Sequence, residues 1–258
     1  MRALGIHLLQ SIDLIDTPRR SIVVEVTPDG AVSQILAVAS VEEIVAAVGA
    51  HPALVVVDAP LVIPNQTGQR DVERILAWCD VPAFPVSQTR LDSVFGGARG
   101  VALASQVSAQ VALHETHLDL ALRVAMWEQA TDDALVDLAD YRARWLGLRA
   151  PRYRPKGAGR ARPEGILAAA GVLAHVIDLQ GWVPDLSGDD WTLINDAAVV
   201  DAMVCAWVAH RACVAPQRTM GIGAATRGRL LVPVDTNLRV RLTATIARLS
   251  AEGTIMPG

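Results

Sequence analysis

The sequence predicts an α/β fold built on a mixed sheet, with three antiparallel strands first, parallel strands after them, and flanking helices. Residues 1–39 contain three strand-like runs separated by turn signals. Residues 53–57 form a continuous apolar run, which is typical of a strand buried on both faces. Helical patterns precede and follow this run, as expected where strands alternate with helices.

The composition is that of a globular chain. Of its 258 residues, 52% are hydrophobic and 19% are charged, which suits one domain over residues 1–258. Charges are expected to break every apolar stretch before the ~18 residues that a membrane span needs, and residues 1–13 lack signal-peptide features. Cys79, Cys205 and Cys213 show no close pairing. The sequence therefore predicts a cytoplasmic protein with reduced cysteines and no membrane partner.

The first 40 residues predict a three-stranded antiparallel unit. Strand-like runs cover residues 3–9, 21–27 and 31–39, and a Pro-Asp-Gly turn signal separates the last two. Ser40, followed three residues later by Glu43, fits a capping box. A helix is therefore expected to begin directly after the third strand.

The next segment predicts a central strand over residues 53–58 that ends in Asp58. The strand follows a helix and lies beside the first hairpin, so we expect it to run parallel to the first strand. A helix over 69–78 comes next, then a loop rich in Pro and Gly over 80–100. Residues 101–115 read as a helix that leads into another strand.

The C-terminal half is mainly helical in pattern. Residues 118–145 predict two helices that meet near Thr131, and a loop rich in Pro and Arg follows over 149–163. Together these predict a helical and basic-loop insertion at about 118–165 within the single domain. The later predicted elements are helices over 163–177, 195–213 and 237–250 and a strand over 229–234.

Asp58 is the first candidate for a functional side chain. It ends the buried central strand at the carboxyl edge of the sheet, where ligands bind in open α/β folds. Pro60 restricts the turn that follows. The alternative is a structural aspartate that accepts hydrogen bonds from turn amides.

Asp201 interrupts the apolar surface of the predicted helix over 195–213. Burial of a carboxylate is costly without a partner, so Asp201 requires either a metal ion or a buried arginine. Asp196 lies five residues earlier, about 140° around the helix. Asp196 is therefore either a residue of the helix start or a further metal ligand.

Glu115 is expected at the end of another strand, between two histidines. His114 and His117 flank it, but a His-x-x-His pair alone is a weak indication of a metal site. Asp58, Glu115 and Asp201 are carboxylates on separate elements, which suits Mg²⁺ or Mn²⁺. Two such ions can activate water and stabilise the leaving oxygen in phosphodiester cleavage.

A basic segment without acids extends over residues 142–162. It contains Arg142, Arg144, Arg149, Arg152, Arg154, Lys156, Arg160 and Arg162. The net charge of the chain is −4, which argues against a protein coated in phosphate-binding surface. The segment is therefore either a solvated loop or a local anion-binding patch.

Five short motifs occur in order along nearly the whole chain. They are Asp58-Ala-Pro-Leu61 with Arg70, Glu115-Thr-His117, Lys156-Gly157 with Arg162, Val200-Asp201-Ala202 with Ala206, and Gly253-Thr-Ile-Met-Pro257. They resemble the motifs DAPL…R, E-x-H-P, K-x-x-G…R, D-A-x-x-x-A and G-x-I-x-P of the nuclease-like family known as domain-of-unknown-function family 429. Leu118 replaces the proline of the second motif.

The resemblance implies a ribonuclease H-like fold and metal-dependent cleavage of nucleic acid. The catalytic and metal-binding residues it implies are Asp58, Glu115 and Asp201, and the substrate-binding residues are Arg70, Lys156 and Arg162. The first strand of the family reads G-x-D, whereas this chain has Gly5-Ile6-His7. A neutral imidazole can bind one metal ion but does not supply the charge that bridges two. His7 or Asp196 would complete the ligand set.

Three functions remain open from the sequence. The first is a nuclease that requires Mg²⁺ or Mn²⁺. The second is a weakened or inactive module of the same fold that binds nucleic acid or protein, because His7 replaces the aspartate. The third is an enzyme that acts on a small phosphorylated substrate. The lack of glycine-rich phosphate loops in the sequence argues against this third function. The oligomeric state is open, with a homodimer among the options.

Overall fold

The computed structural model describes residues 1–9, 20–130, 136–155 and 161–255. In this part of the chain, the strands are β1 (Arg2–His7), β2 (Ser21–Val26), β3 (Val32–Val38), β4 (Ala53–Val57), β5 (Val111–Glu115), β6 (Thr219–Ala224) and β7 (Gly228–Pro233). The helices are α1 (Val41–Val48), α2 (Asp71–Trp78), α3 (Gln88–Phe95), α4 (Arg99–Gln106), α5 (Leu118–Ala130), α6 (Leu138–Gly147), α7 (Pro163–Leu173), α8 (Asp190–Val214) and α9 (Thr236–Ala251).

All these strands belong to one mixed sheet, with the order β3-β2-β1-β4-β5-β7-β6. β2 pairs antiparallel with β1 and β3. The pairs β1–β4, β4–β5 and β5–β7 are parallel. β6 pairs antiparallel with β7 at the far edge. The predicted fold class is therefore confirmed: an α/β fold with a mixed sheet, flanked by helices, whose first three strands are antiparallel and whose next strands are parallel.

The first helix and the central strand form where the sequence predicts them. The Ser40 hydroxyl accepts a hydrogen bond from the Glu43 amide (3.2 Å), and the Glu43 carboxylate reaches back to the Ala39 amide (2.7 Å). These bonds satisfy amides that a helix start leaves free. All five residues of β4 are buried, as the lack of alternation in its sequence indicates.

Helices cover both faces of the sheet and form two apolar cores. α8 packs against β1, β2 and β4 on one face, where the larger core also contains side chains of α2, α5, α7 and α9. α1 and α4 cover the other face, where Ile44 and Leu103 pack with Ile6 and Val57. Because side chains alternate along a strand, neighbouring residues of β1 and β4 face different cores.

α8 approaches β1 more closely than a side chain on the strand would allow. A Cβ atom at Gly5 would lie 2.0 Å from the Ala206 nitrogen and 2.1 Å from the Ala202 oxygen. Glycine is therefore required at this crossing. The contact fixes the part of α8 that carries Asp201 against the carboxyl end of β1.

α8 reaches membrane-spanning length, which corrects the expectation that charges interrupt every such stretch. By length and composition alone it would qualify as a span. However, 78% of its most apolar 18-residue window is buried inside the protein. This burial is typical of a helix in the core of a globular fold.

Two elements differ from the sequence-based prediction. Residues 80–100, for which composition predicts a loop, contain α3 and the start of α4. The Ser87 hydroxyl caps α3 by accepting from the Arg90 amide (3.4 Å), and Gly96 ends it with a φ of 71°. The prolines and glycines of this stretch thus flank a helix. β6 was not predicted, because its Gly-Ile-Gly sequence lacks strand alternation and it forms through pairing with β7.

The segment at about 118–165 contributes to the larger core. Leu120 and Trp127 of α5 and Tyr141 and Trp145 of α6 are buried there. The two predicted helices are present, and the expected junction near Thr131 lies outside the described residues. That this segment is an insertion stays a prediction.

We expect Gly5→Ala to lower the free energy of unfolding by about 3 kcal/mol, because the new methyl group meets backbone atoms that cannot move independently. Urea denaturation measures the change. The matched control is Gly171→Ala in α7, where a Cβ has nothing within 4 Å, and we expect it to stabilise by up to ~1 kcal/mol. Equal effects of the two substitutions would contradict the close packing of α8 on β1.

Candidate functional site

The parallel pairing of β1 and β4 brings His7 next to Asp58. Ile6 pairs with Val57, so the residues that follow them meet at the carboxyl edge of the sheet. The Nδ1 atom of His7 lies 2.5 Å from Oδ2 of Asp58. The Leu8 amide donates to the other oxygen of Asp58 (2.9 Å). Both side chains face α8, on the same side of the sheet as Gly5.

α8 adds Asp201 to this pair. Its Oδ2 atom lies 3.4 Å from Nδ1 of His7, and the carboxylate is buried, with a side-chain exposure of 3%. Potential ligand atoms of His7, Asp58 and Asp201 all lie within 4.8 Å of one another. We call these three residues the edge cluster. Among the described residues they form the one such group of histidine, cysteine and acidic side chains.

Two residues of the basic segment hold Asp201. The guanidinium of Arg154 contacts both carboxylate oxygens: Nε lies 2.8 Å from each, and Nη2 lies 2.6 Å from Oδ1. The buried Tyr153 hydroxyl donates to Oδ1 (2.5 Å). Arg154 also donates to the Tyr153 oxygen (2.8 Å). Of the two partners that the sequence allowed for Asp201, the arginine is therefore present, although its side chain is 43% exposed.

Protein groups pair with both carboxylates of the edge cluster. Burial lowers the pKa of His7, but the nearby charge of Asp58, its hydrogen bond and the charge of Asp201 raise it, so the pKa lies above its ordinary value. Arg154 remains protonated at any physiological pH. Two carboxylates thus face the guanidinium of Arg154 and an imidazole whose pKa is raised. Burial also raises the pKa of the Tyr153 hydroxyl, which keeps it a neutral donor.

Glu115 lies at the end of β5, as predicted, but the structure does not bring it into the edge cluster. It pairs in register with Val57, one residue before Asp58, and therefore faces the other side of the sheet. Its carboxylate accepts from the Leu61 amide (2.7 Å) and from Arg70 (3.0 Å and 2.9 Å). Burial raises the pKa of Glu115, and Arg70 opposes that shift.

Arg70, expected to bind substrate, is instead a buried structural cation. It is 4% exposed and forms ion pairs with Glu73 and Glu115. It also donates to the Val62 carbonyl (2.8 Å). These bonds use its donors and tie the loop after β4 to the ends of β5 and α2. The motif match at Arg70 therefore corresponds to two buried ion pairs, and substrate binding by Arg70 stays a prediction.

Asp196 and the two histidines near Glu115 also lie outside the edge cluster. Asp196, one turn before Asp201 in α8, accepts from the Asp185 amide (2.7 Å) and so holds a loop turn. His117 accepts from the Leu120 amide (3.2 Å) at the start of α5. Burial lowers the pKa of His117 to about 4, which keeps the ring neutral for this cap.

A cleft of about 690 Å³ opens from the edge cluster. Asp58, Tyr153 and Arg154 connect the cluster to the cleft, because they belong to its lining. Arg162, predicted to bind substrate, also lines this cleft, whereas Lys156 and Gly157 lie outside the described residues. Further arginines of the lining are Arg70, Arg123, Arg149 and Arg152. The sheet edge and the basic segment therefore share one cavity.

The donor set of the edge cluster fits one divalent cation. One imidazole nitrogen and two carboxylates lie close together, and this mixed set favours Mn²⁺ over Mg²⁺, since Mg²⁺ takes oxygen ligands almost exclusively. Arg154 and the hydrogen bond between His7 and Asp58 occupy the lone pairs that a cation would use. Binding therefore requires Arg154 to release Asp201. The two-ion arrangement expected from three acids lacks Glu115 here.

No family model, curated protein or solved structure matches this chain. The resemblance to domain-of-unknown-function family 429 therefore stays a prediction.

Sequence reasoning missed Tyr153 and Arg154 as partners of Asp201. The available indication was the need of a buried carboxylate for a cation, combined with a run of arginines that has no acid of its own. Distance along the chain hid the contact, because more than 40 residues separate Tyr153 and Arg154 from Asp201. Arg149 and Arg152 were part of the basic segment, but their place in the cleft follows only from the fold.

We expect Arg70→Met to lower the free energy of unfolding by about 3–5 kcal/mol, because it leaves Glu115 and Glu73 buried without a cation. Arg142→Met is the matched control. Arg142 is 59% exposed and its partner Asp80 also pairs with Arg241, so the expected loss is below about 1 kcal/mol. Urea denaturation compares the two. A similar small loss for both would show that Arg70 does not support the site.

Proposed function

We propose that this protein is a divalent-metal-dependent hydrolase that cleaves phosphodiester bonds in nucleic acid. The observation that carries the proposal is the edge cluster, in which two carboxylates and a histidine meet at the carboxyl edge of the sheet and open into an arginine-lined cleft. Ligand sites in open α/β folds lie at this edge. The confirmed fold class and the ordered motifs agree with this reading.

His7, Asp58 and Asp201 would hold the cation. When bound, a divalent cation supplies Lewis acidity and lowers the pKa of a bound water, which are the two demands of phosphodiester hydrolysis. The Leu8 amide fixes the orientation of Asp58 through one oxygen and leaves the other directed toward His7 and α8. The Tyr153 hydroxyl does the same for Asp201.

Arg154 has two places to bind. Against Asp201 it neutralises the cluster, and as a half-exposed side chain of the cleft lining it can turn toward a phosphate. A guanidinium suits both partners, because its donors match carboxylate and phosphate oxygens in pairs. Arg154 would therefore bind a substrate phosphate once Asp201 binds the cation.

A second candidate is a module that binds nucleic acid without cleaving it. The observation that favours it is that both carboxylates of the edge cluster already have partners: His7 contacts both of them, and Arg154 contacts Asp201. A cluster whose carboxylates are already paired has a weaker electrostatic attraction for a cation than one with uncompensated carboxylates. The two candidates differ in whether Mn²⁺ displaces Arg154.

Calorimetric titration with Mn²⁺ distinguishes the candidates. We expect Arg154→Met to bind Mn²⁺ at least about tenfold more tightly than the wild type, because a charge-assisted contact no longer competes for Asp201. Asp58→Asn should lose measurable binding. The matched control is Arg144→Met, an exposed arginine of α6 outside the cleft, which should bind as the wild type does. Equal affinity of the Arg154 and Arg144 variants would contradict the competition.

Cleavage assays test the reaction itself. With Mn²⁺, we expect the wild type to cleave at least one of four labelled substrates, namely single-stranded, duplex, hybrid and branched nucleic acid. Asp58→Asn and Asp201→Asn should lower the rate by at least about 100-fold, which excludes a contaminating nuclease. A chain that becomes active only as His7→Asp would overturn the hydrolase and favour the binding module.

A further inference from the structure

Three arginines of the cleft have no carboxylate partner. Arg149, Arg152 and Arg162 line the cleft and are exposed. Within the described ranges, no acidic oxygen lies within ion-pair distance of any of them. The other lining arginines are paired: Arg70 with Glu115 and Arg123 with Asp119, for example. The unpaired three therefore keep their full charge for a ligand.

The cleft is positive although the chain is acidic. Six arginines and four carboxylates belong to its described lining, a net charge of +2, whereas the whole chain carries −4. Walls of one charge sign concentrate the field inside a cleft and attract counter-charged ligands. Arg162 also stands at the N-terminal end of α7, where the helix dipole favours anions. These features indicate a ligand with several negative charges.

An exposed aromatic ring belongs to the same lining. Phe84 is 60% exposed and lies between Pro82 and Pro85, which restrict the loop backbone. Arg90 stacks on the ring, with its guanidinium carbon 3.7 Å from the ring centre. The Asn65 side chain donates to the Val86 carbonyl (2.9 Å) and holds the loop. The loop that carries the ring is thus anchored, and although Arg90 covers one face of the ring, much of its surface is open.

We propose that the cleft binds single-stranded nucleic acid, with Arg149, Arg152 and Arg162 on backbone phosphates and Phe84 stacked on a base. Arginines along a groove together with an exposed ring are the combination that binds single strands with little sequence preference. The role of the strand as a substrate rests on the proposed hydrolase. The contact itself requires no cation.

The geometry favours a single strand over a duplex. A base can stack on Phe84 only if its face is free, and in a duplex the neighbouring bases cover both faces. A volume of about 690 Å³ is in the range of cavities that enclose one small ligand, so it holds a short stretch of strand. The strand would place its phosphates near Asp58 and Arg154, at the end of the cleft that meets the edge cluster.

Fluorescence anisotropy in EDTA tests binding apart from catalysis. The probe is a labelled oligothymidine of about 12 nucleotides, compared with its duplex and with thymidine monophosphate as a competitor. We expect the full chain to bind the single strand more tightly than the duplex. Phe84→Ala should weaken binding about tenfold. Each of Arg149→Ala, Arg152→Ala and Arg162→Ala should reduce the slope of log affinity against log salt by about 0.7.

Two controls have the same chemistry outside the cleft. Trp78 is 52% exposed with Arg248 stacked 3.9 Å from its ring centre, and Arg144 is an exposed arginine of the basic segment. Trp78→Ala and Arg144→Ala should bind as the wild type does. Thermal unfolding verifies that all variants fold. An effect of the controls equal to that of Phe84→Ala would overturn the assignment to this cleft.

The remaining outcomes separate this inference from the proposed function. Strand binding that depends on Phe84, without any cleavage in Mn²⁺, would support the inference and overturn the hydrolase. Cleavage with no preference for single strands and no effect of Phe84→Ala would overturn the inference and keep the hydrolase. A duplex that binds as tightly as the strand, or a monophosphate that competes at equal concentration, would also overturn it.

Discussion

The close crossing of α8 over β1 at Gly5 is the constraint on which the site depends. Any side chain at Gly5 would collide with the backbone of α8 at Ala202 and Ala206. Because the helix lies directly on the strand, Asp201 comes within reach of His7 at the strand end. Parallel pairing of β1 with β4 then adds Asp58. One packing contact and one strand register thus produce the edge cluster.

The second determinant is the set of groups that hold Asp201. A buried carboxylate must have a cation, and Arg154 now provides it together with the Tyr153 hydroxyl. The same guanidinium lies in the lining of a cleft that also contains Arg149, Arg152 and Arg162, which are unpaired within the described ranges. A substrate phosphate and a metal ion would therefore both separate Arg154 from Asp201. The phosphate would attract Arg154, and the metal ion would replace it at the carboxylate. Because the His7 imidazole brings no negative charge to the edge cluster, cation binding there would depend strongly on this exchange.

Much of the fold, and Asp58, could be predicted because their causes are local. A continuous apolar run indicates a buried strand, and the acid after it must lie at the sheet edge. The role of Glu115 could not be predicted, because it depends on strand register. Pairing of Glu115 with Val57 turns the Glu115 side chain away from Asp58. The partners of Asp201 depend on a loop more than 40 residues away. Arg70 shows that a motif match alone does not separate a structural ion pair from a substrate contact.

Anomalous diffraction from crystals soaked in Mn²⁺ tests the central claim most directly. The account predicts a single anomalous peak between Asp58 and Asp201, with the His7 ring nitrogen beside it and the Arg154 guanidinium displaced from Asp201. A peak elsewhere, or a cluster without a peak in which Arg154 still contacts both oxygens of Asp201 at saturating Mn²⁺, would contradict it. The second result would assign the edge cluster to the support of the fold and the cleft.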